Sequence, residues 1–190
     1  MNCKYKILLA SGSPRRKELL SGLNIPFDIK LLPDLEESYP DDLPCSEIPE
    51  YLALKKAKSY ADLIDGETLV ITADTLVILD NKVYGKPQDE DDAKRMLREL
   101  SGKTHQVITG VCLFTKEKVK TFSVFSDVRF ARLEEADINY YVDKYKPLDK
   151  AGAYGIQEWI GYIGVEHISG SYYNIMGLPV QRLSKELRDF

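Results

Sequence analysis

The segment at residues 8–20, LLASGSPRRKELL, constrains the fold more than any other part of this 190-residue chain. An apolar run ends in a Ser/Gly loop, and a helical pattern begins directly after that loop, at Pro14. A strand that passes through such a loop into a helix gathers unpaired backbone N–H groups at the helix N-terminus, where the helix dipole also favours an anion. The segment therefore predicts a β–loop–α unit with a candidate anion site.

Two arginines follow Pro14, and their position leaves two interpretations open. Ser13 is a suitable N-cap and Pro14 a suitable first helical residue, so the segment can simply begin a helix. Arg15 and Arg16, however, oppose the helix dipole, at a cost on the order of 0.3–1 kcal/mol each when exposed. A bound anion reverses that sign, and planar guanidinium groups suit phosphate oxygens.

Composition indicates one folded domain over residues 1–190 and argues against several classes of protein. Hydrophobic residues make up 44% and charged residues 29% of the chain, which is ordinary for a globular domain. The net charge of −4 disfavours nonspecific binding to a nucleic-acid polymer or a membrane surface, because such proteins are usually basic. Three separated cysteines without a Cys/His cluster favour reduced thiols in a cytoplasmic protein over a zinc site. No apolar stretch approaches the length of a transmembrane helix.

The rest of the chain alternates strand and helix patterns, which predict an α/β or α+β fold with a mixed sheet. Strands are predicted at residues 4–10, 27–32, 68–79, 106–115, 119–131 and 162–168. Helices are predicted at residues 14–22, 46–64, 89–100, 134–145 and 179–187, with Ser46 as the cap of the second. The pair Asp80-Asn81 predicts a tight turn.

Asp74 is the sharpest candidate for chemistry, because it interrupts the apolar strand pattern TLVITADTLVIL at residues 68–79. A buried, unpaired carboxylate is costly, so this side chain needs partners, a metal ion or an opening in the strand. One interpretation is a metal ligand or general base. The alternative is a turn aspartate between two short strands, with its carboxylate bonded to nearby backbone N–H groups.

Three other charged positions are candidates for chemistry, and the acidic pair among them matters only if the fold brings one of its carboxylates near Asp74. One carboxylate of the Glu36-Glu37 pair, placed beside Asp74, would complete an oxygen-rich site for Mg²⁺ or Mn²⁺. Lys56 ends a lysine pair on a predicted helix, where one side chain can face inward while the other is solvated. Lys86 lies between Gly85 and Pro87 and would form a fixed positive charge. The alternatives are a solvated acidic loop, exposed lysines and an ordinary β-turn.

The glycine-rich segment DKAGAYGIQ, residues 149–157, is a candidate ligand loop, because small residues let a backbone approach a ligand closely. The Gln157 amide has a donor and an acceptor and could read the edge of a base. The alternative is a flexible connection. The P-loop-like GKT at residues 102–104 is rejected, because it lacks the upstream glycine and follows a helix. His105 and His167 are isolated in the sequence and are interpreted as structural.

Taken together, these motifs resemble the Maf family of nucleoside triphosphate pyrophosphatases, over essentially the whole chain. The matching stretches occur in the family's order: ASGSPRRKELL (10–20), ADT (73–75), GKP (85–87), SGKTHQVITG (101–110), DKAGAYGIQ (149–157) and GSYYNIMGLP (170–179). The segment at 158–170 is less regular than the family's usual approach to the GSY segment.

The resemblance implies both a fold and an activity. The implied fold is an elongated, ITPase-like α/β structure, with a mixed β-sheet flanked by helices and two lobes with a cleft between them. The implied reaction is hydrolysis of a nucleoside triphosphate to the monophosphate and pyrophosphate, with a divalent cation, Mg²⁺ or Mn²⁺, as cofactor. The SPRR, ADT and AYGIQ variants are similar to the subfamily that acts on dTTP and UTP. The resemblance also implies a homodimer. Two alternatives stay open: a nucleotide-binding regulator of cell division or septum formation, and a pyrophosphatase directed at 7-methyl-GTP or another purine nucleotide.

The resemblance also implies roles for individual residues, each matched through its motif. Asp74 is implied as the proton acceptor, and Asp74 and Glu37 as the metal ligands, with Glu36 as the alternative loop carboxylate. The implied phosphate-holding residues are Lys56 and Lys86, which belong with the catalytic group, and Ser11 and Arg16. The implied determinants of substrate choice are Arg15, Thr75 and Gln157.

Overall fold

Strands and helices alternate along the part of the chain that the computed structural model describes, residues 4–33, 35 and 37–190. The strands are β1 (Lys6–Leu9), β2 (Phe27–Ile29), β3 (Thr68–Leu79), β4 (Lys82–Tyr84), β5 (Thr104–Phe114), β6 (Val119–Phe130) and β7 (Val165–Ser169). The α-helices are α1 (Pro14–Ser21), α2 (Ile48–Lys58), α3 (Glu90–Leu100), α4 (Glu135–Tyr145), α5 (Trp159–Gly164), α6 (Tyr172–Met176) and α7 (Val180–Asp189). Short 3₁₀ turns lie at Ala61–Leu63 and Ala151–Ala153.

The strands belong to one mixed sheet, with the hydrogen-bonded order β2-β1-β3-β5-β6-β7 and β4 paired to β3. β1 runs parallel to both of its neighbours, and Leu9 lies opposite Ile29 on one side and Ile71 on the other. β4 is antiparallel to β3, and β7 is antiparallel to β6. The predicted α/β class, with a mixed sheet flanked by helices, is confirmed.

The chain divides into two compact units, and β3, β5 and β6 each contribute residues to both. Unit 1 comprises Met1–Asp74, Thr109–Val124 and Gly177–Phe190. Unit 2 comprises Thr75–Ile108 and Phe125–Met176.

Unit 1 is built on the parallel strands β1 and β3, whose inward side chains Leu9, Leu69 and Ile71 are fully buried. Helix α2 packs very closely on β5 within this unit. A Cβ atom at Gly110 of β5 would lie only 2.2 Å from the backbone nitrogen of Glu50 in α2. Glycine at this position therefore lets the first turn of α2 rest on the strand backbone.

Unit 2 has its own core, formed largely by the amphipathic helix α3 and by α4. Leu97 and Leu100 of α3 and Tyr141 and Val142 of α4 are fully buried. Helix α3 packs against α4 and against the 3₁₀ turn Ala151–Ala153. Apolar burial of this extent is the main favourable contribution to folding.

The central strand β3 resolves one of the open interpretations. β3 is continuous from Thr68 to Leu79, so Asp74 lies inside a strand and the alternative of a turn aspartate between two short strands is wrong. The tight turn at Asp80-Asn81 is confirmed, because both residues have positive φ, 52° and 61°. Gly102 turns the chain into a strand rather than a helix, which agrees with the rejection of a P-loop.

Several predicted boundaries are wrong, mostly where small residues and aromatics mix. The second helix begins at Ile48 rather than Ser46, without a side-chain cap, and ends at Lys58. Residues 159–164 of the glycine-rich region form helix α5, so the predicted strand at 162–168 begins only at Val165. Strand β4 and helix α6 were not predicted, and β2 is three residues long. No helix in the described ranges has the length and apolar character needed to span a membrane.

Candidate functional site

The loop between β1 and α1, in unit 1, contains the predicted N-cap of the helix. The Ser13 hydroxyl accepts a hydrogen bond from the Arg16 backbone N–H at 3.5 Å, which confirms Ser13 as the N-cap. The Ser11 hydroxyl accepts one from the Ser13 backbone N–H at 3.3 Å. The first turn of α1 contains no acidic residue. The positive end of the helix dipole is therefore not neutralised by a carboxylate in the first turn of α1, as an anion site requires.

The Arg16 side chain turns back from α1 and connects three segments of unit 1. Its Nε donates to the Gly177 carbonyl oxygen at 2.8 Å, and its Nη1 donates to the Ala73 carbonyl oxygen at 2.8 Å and to the Ser11 hydroxyl at 3.4 Å. Burial lowers the pKa of Arg16, and the nearby Asp74 charge opposes that effect. Arg16 therefore fixes the backbone immediately before Asp74. This carbonyl-binding role was not predicted, and the phosphate role of Arg16 stays a prediction.

Asp74, Lys56 and Glu37 meet in unit 1, as the sequence patterns allowed. Lys56 Nζ lies 2.6 Å from Asp74 Oδ1 and 2.7 Å from Glu37 Oε1. The Lys56 and Asp74 side chains are only 13% and 11% exposed. The buried carboxylate on β3 thus has the charged partner that burial demands. Glu36, the alternative loop carboxylate, lies outside the described residues.

The two neighbouring lysines of α2 point in different directions, one solvated and one inward, as the helical spacing allowed. Lys55 reaches the Ser38 hydroxyl at 2.7 Å and the Ser38 carbonyl oxygen at 3.0 Å, in an exposed position. Lys56, on the adjacent helical position, points to Asp74. A change of one residue on a helix rotates the side chain by about 100°, which accounts for the difference.

The pair of carboxylates is suited to a hard cation, but only with further oxygen ligands. Within the described part of the chain, no group of three or more His, Cys, Asp or Glu side chains could hold a metal ion. Mg²⁺ commonly binds through one or two carboxylates and completes its shell with water and substrate phosphates. Asp74 and Glu37 already share one cationic group, the Lys56 ammonium, so their arrangement accommodates positive charge. The donor set therefore fits a divalent cation that arrives with phosphate oxygens.

Of the other predicted site residues, Arg15 lies on α1 in unit 1, whereas Thr75, Lys86 and Gln157 lie in unit 2. Thr75 follows Asp74 directly along β3. Lys86 is exposed, and its loop is held by a hydrogen bond from the Gly152 backbone N–H to the Gly85 carbonyl oxygen at 3.0 Å. The Gln157 side-chain oxygen is buried and has no hydrogen-bond partner among the described residues. The roles given to Arg15, Thr75, Lys86 and Gln157 stay predictions.

A network of polar side chains in unit 2 surrounds the segment that carries Gln157. Tyr141 donates to Glu158 Oε2 at 2.5 Å, and Lys150 Nζ lies 3.3 Å from Glu158 Oε1. The Tyr141 hydroxyl also accepts a hydrogen bond from the Gly155 backbone N–H at 2.9 Å. Burial raises the pKa of Tyr141, and the hydrogen bond to Glu158 adds to that shift. Sequence reasoning missed these contacts, although the DKAGAYGIQ motif contains two of the four residues.

His105 is part of the core of unit 2, as its interpretation as a structural residue predicted. Its Nε2 lies 2.8 Å from the Tyr154 hydroxyl, and its ring packs edge-to-face on Phe130. Burial lowers the pKa of His105 to about 4. Neutral His105 is therefore the form that the folded protein favours near neutral pH.

The fold and these side chains define a class: an α/β protein whose sheet presents a paired, buried aspartate beside an arginine-bearing helix N-terminus. The chain belongs to the Maf family, because the model described as "Maf-like protein" matches residues 6–190. The family predicted from the sequence motifs is thereby confirmed.

Curated relatives cover nearly the whole chain. A protein of Phocaeicola vulgatus named "dTTP/UTP pyrophosphatase" is 61% identical over 185 residues, which are 97% of this chain and 96% of the relative. A protein of Bacteroides thetaiotaomicron with the same name is 60% identical over the same shares. A third, from Porphyromonas gingivalis, is 55% identical over 98% of this chain and 95% of the relative.

Solved structures support the fold. The Staphylococcus aureus Ham1 protein matches with a TM-score of 0.54 and 17% identity, over 97% of this chain and 98% of that one. A HAM1 protein from Coxiella burnetii matches with a TM-score of 0.52 and 17% identity, over 98% of this chain and 100% of that one. The ITPase-like architecture predicted for the sheet and helices is confirmed.

Proposed function

We propose that this protein is an enzyme that hydrolyses dTTP and UTP to the nucleoside monophosphate and pyrophosphate. The single observation that carries the proposal is the buried Asp74 carboxylate, which contacts Lys56 at 2.6 Å in a chain whose full-length relatives are named dTTP/UTP pyrophosphatase. A carboxylate inside a β-strand is costly to bury, and Asp74 meets that cost through its contact with Lys56 while it stays near the Ser/Gly loop through Arg16, which contacts Ser11 and Ala73.

The reaction needs a group that takes a proton from water, and Asp74 is that group in the proposal. The water oxygen bonds to the α-phosphorus while the bond from this phosphorus to the oxygen bridging the β-phosphate breaks. Pyrophosphate leaves with the electron pair of that bond, and the proton of the water passes to the Asp74 carboxylate. Arg16 supports this step by holding the Ala73 carbonyl oxygen at 2.8 Å, which fixes the strand just before Asp74.

Positive charges balance the negative charge that develops on the phosphate oxygens. Lys56 and Lys86 are assigned to the phosphates, together with Ser11 and the N-terminus of α1. Lys56 can exchange a carboxylate contact for a phosphate contact without leaving its position on α2, because its flexible stem carries a compact point charge.

We assign a divalent cation, Mg²⁺ or Mn²⁺, to the carboxylates of Asp74 and Glu37. The support is the shared contact of both carboxylates with Lys56, at 2.6 and 2.7 Å, and the preference of hard cations for such oxygens. When bound, the cation supplies Lewis-acid stabilisation of charge on phosphate oxygens.

Substrate choice is assigned to Arg15, Thr75 and Gln157. The buried Gln157 oxygen, which has no partner among the described residues, is an acceptor available to a ligand. Uracil and thymine both present an N–H donor flanked by carbonyl oxygens, which a carboxamide can match with its acceptor and its donor. A site that hydrogen-bonds a substrate N–H discriminates strongly against analogues that lack it.

The deciding experiment measures pyrophosphate release from dTTP, UTP, 7-methyl-GTP and ITP, each with Mg²⁺ and with Mn²⁺. We expect the highest kcat/KM for dTTP and UTP, and no turnover after chelation of the metal. A preference for 7-methyl-GTP or ITP would reassign the substrate. Tight nucleotide binding without pyrophosphate release would favour the regulator of cell division or septum formation; the relatives' names do not favour either alternative.

Assembly and location belong to the same proposal. We infer a homodimer from the family resemblance, and light scattering coupled to size-exclusion chromatography tests it. We also infer a cytoplasmic enzyme that binds a nucleoside triphosphate and neither a nucleic-acid polymer nor a membrane, in keeping with the net charge of −4.

A further inference from the structure

We propose that Tyr141, Glu158 and Lys150 form a positioning network that holds the Gln157 amide in the orientation needed to recognise the pyrimidine base. This inference rests on the proposed function for the identity of the base. It concerns residues that touch the Gln157 segment and not the reacting phosphates. All of these residues lie in unit 2.

Glu158 occupies a closely restrained position in the backbone. It follows Gln157 in the chain and immediately precedes helix α5. Its backbone N–H donates to the Gly155 carbonyl oxygen at 3.0 Å, and its own carbonyl accepts from the Gly161 N–H at 2.9 Å. These two hydrogen bonds close the backbone on both sides of Glu158 into a tight turn. Restraining the Glu158 side chain therefore also restrains the neighbouring residue, Gln157.

Both oxygens of the Glu158 carboxylate are held by buried groups. Oε2 accepts from the fully buried Tyr141, and Oε1 faces Lys150, whose side chain is 9% exposed. A hydrogen bond in a water-poor interior is strong and orients its partners. If the carboxylate rotates, the O–H donor of the buried Tyr141 loses its acceptor, which is costly, whereas Lys150 keeps its contact with Asp149 at 2.7 Å.

Tyr141 also holds the other side of the Gln157 segment. Its hydroxyl accepts from the Gly155 backbone N–H at 2.9 Å. Tyr141 thus contacts the residue two before Gln157 and the residue one after it. A Cβ atom at Gly155 would lie 2.8 Å from the Glu158 carboxyl carbon, so glycine there leaves room for the carboxylate.

The Gln157 side-chain oxygen is buried without a hydrogen-bond partner among the described residues. An unpaired acceptor in the protein interior is costly, so its retention needs a reason. A rigid segment keeps this acceptor ready for a donor on the ligand, which reduces the ordering cost of binding. The network supplies that rigidity.

The test compares Tyr141→Phe with Tyr145→Phe, which removes a hydroxyl from the ring stacked on Tyr141 at 5.1 Å and serves as the matched control. We expect Tyr141→Phe to raise KM for UTP and dTTP about tenfold, with kcat within twofold, because the hydroxyl loses both its hydrogen bond to Glu158 and the one it accepts from the Gly155 N–H. Inorganic triphosphate carries no base, so its inhibition constant should stay within twofold. The control should leave all three quantities within twofold of wild type.

A second pair of variants guards against a simple loss of folding. Glu158→Gln retains an acceptor for Tyr141, so we expect it to recover most of the affinity for UTP that Glu158→Ala loses. Thermal unfolding of every variant shows that the compared proteins are folded. A tenfold rise in the inhibition constant of inorganic triphosphate, in step with KM for UTP, would overturn the proposal, because a general disturbance moves both.

Fluorescence gives a readout that does not depend on turnover. Trp159, the only tryptophan of the chain, follows Glu158 and packs on Tyr140 with ring centroids 4.7 Å apart. We expect Tyr141→Phe, but not Tyr145→Phe, to change its emission and to weaken UTP binding followed through it about tenfold. If wild type binds UTP without hydrolysing it, the proposed function fails while this titration still decides the network. Unchanged UTP affinity in Tyr141→Phe, or no UTP binding by wild type, would overturn the inference.

Discussion

The two units contain the same arrangement of charges with opposite consequences. In unit 1, Lys56 contacts Asp74 and Glu37; in unit 2, Lys150 contacts Glu158 and Asp149. Each lysine is nearly buried, and each joins one partly buried and one exposed carboxylate. The geometry of the ion pairs alone does not distinguish a reactive site from a structural one.

The difference lies in how fully the inner carboxylate is bonded by the protein. Both oxygens of Glu158 have protein partners, Tyr141 and Lys150. For Asp74, the side-chain hydrogen bond among the described residues comes from Lys56 and reaches a single oxygen, while the charge of Arg16 lies nearby. A saturated carboxylate orients its neighbours, whereas an incompletely bonded one retains capacity for a proton or a cation. We therefore assign chemistry to Asp74 and positioning to Glu158.

The largest expected effect comes from Asp74→Asn, which keeps the shape of the side chain and removes its ability to take a proton. We expect kcat for UTP to fall about 10²- to 10⁴-fold, the usual contribution of a general base, with KM changed less than threefold. Steady-state kinetics of pyrophosphate release measure this. Asp28→Asn, at an exposed position of β2, is the control and should retain wild-type rates. Near-wild-type turnover of Asp74→Asn would contradict the contrast between the two acids.

The second prediction compares Lys56→Met with Lys150→Met. Removing Lys150 leaves Glu158 partly buried without its counter-charge, so we expect a loss of about 3 kcal/mol in unfolding free energy that Mg²⁺ does not restore. Removing Lys56 frees two carboxylates for a cation, so Mg²⁺ should recover stability, and Mn²⁺ should bind about tenfold more tightly without nucleotide because a like charge is removed.

Thermal unfolding with and without MgCl₂ checks the stability part, and paramagnetic resonance of free Mn²⁺ checks the affinity part. Each lysine variant serves as the control for the other. If Mg²⁺ restores the stability of both variants equally, or of neither, the distinction between a cation site in unit 1 and a structural ion pair in unit 2 is wrong.

The third prediction concerns the pH dependence contributed by the core of unit 2. The pKa of His105 is about 4 in the folded protein, below its ordinary value of 6.5, so folding favours the neutral ring. This stabilisation is complete above pH 6.5 and is lost as the pH falls towards 4, with about 2 kcal/mol gone by pH 5. Above pH 5, carboxylates of ordinary or lowered pKa are still largely ionised, so this window isolates the histidine.

Urea unfolding at pH 7 and pH 5 measures that loss. We expect His105→Gln to lower the free energy of unfolding at pH 7 and to reduce its dependence on pH, because the titrating group is gone. His167→Gln, at the exposed position of β7, removes the other histidine and should leave the dependence intact. If the pH dependence persists in His105→Gln and disappears in His167→Gln, the assignment of this effect to His105 is wrong.

Much of the fold was predictable because its signals are local. The apolar run of β3 and the polar turn after it gave a strand whose bounds, residues 68–79, agree with the structure. Helices α3 and α4 were predicted to within a residue, since amphipathic periodicity and end residues are encoded in the segment itself. Helices α5 and α6 were missed, because glycines and aromatics within WIGYIG and GSYYNIMGLP favour loops locally and only packing makes them helical.

The candidate site likewise has features that the sequence predicted and features that it did not. The sequence by itself determined that Asp74 needs partners, a metal ion or an opening in the strand, that Ser13 begins a helix and that the chain belongs to the Maf family. Burial cost, capping and ordered motifs are properties of the linear pattern. Only the tertiary structure decided that Lys56 contacts both Asp74 and Glu37. It also decided that Arg16 donates to the carbonyl oxygen before Asp74, and that Tyr141 contacts the segment that contains Gln157. These contacts join residues 14 to 57 positions apart, and a distance in space between remote positions is set by the packing of the whole unit.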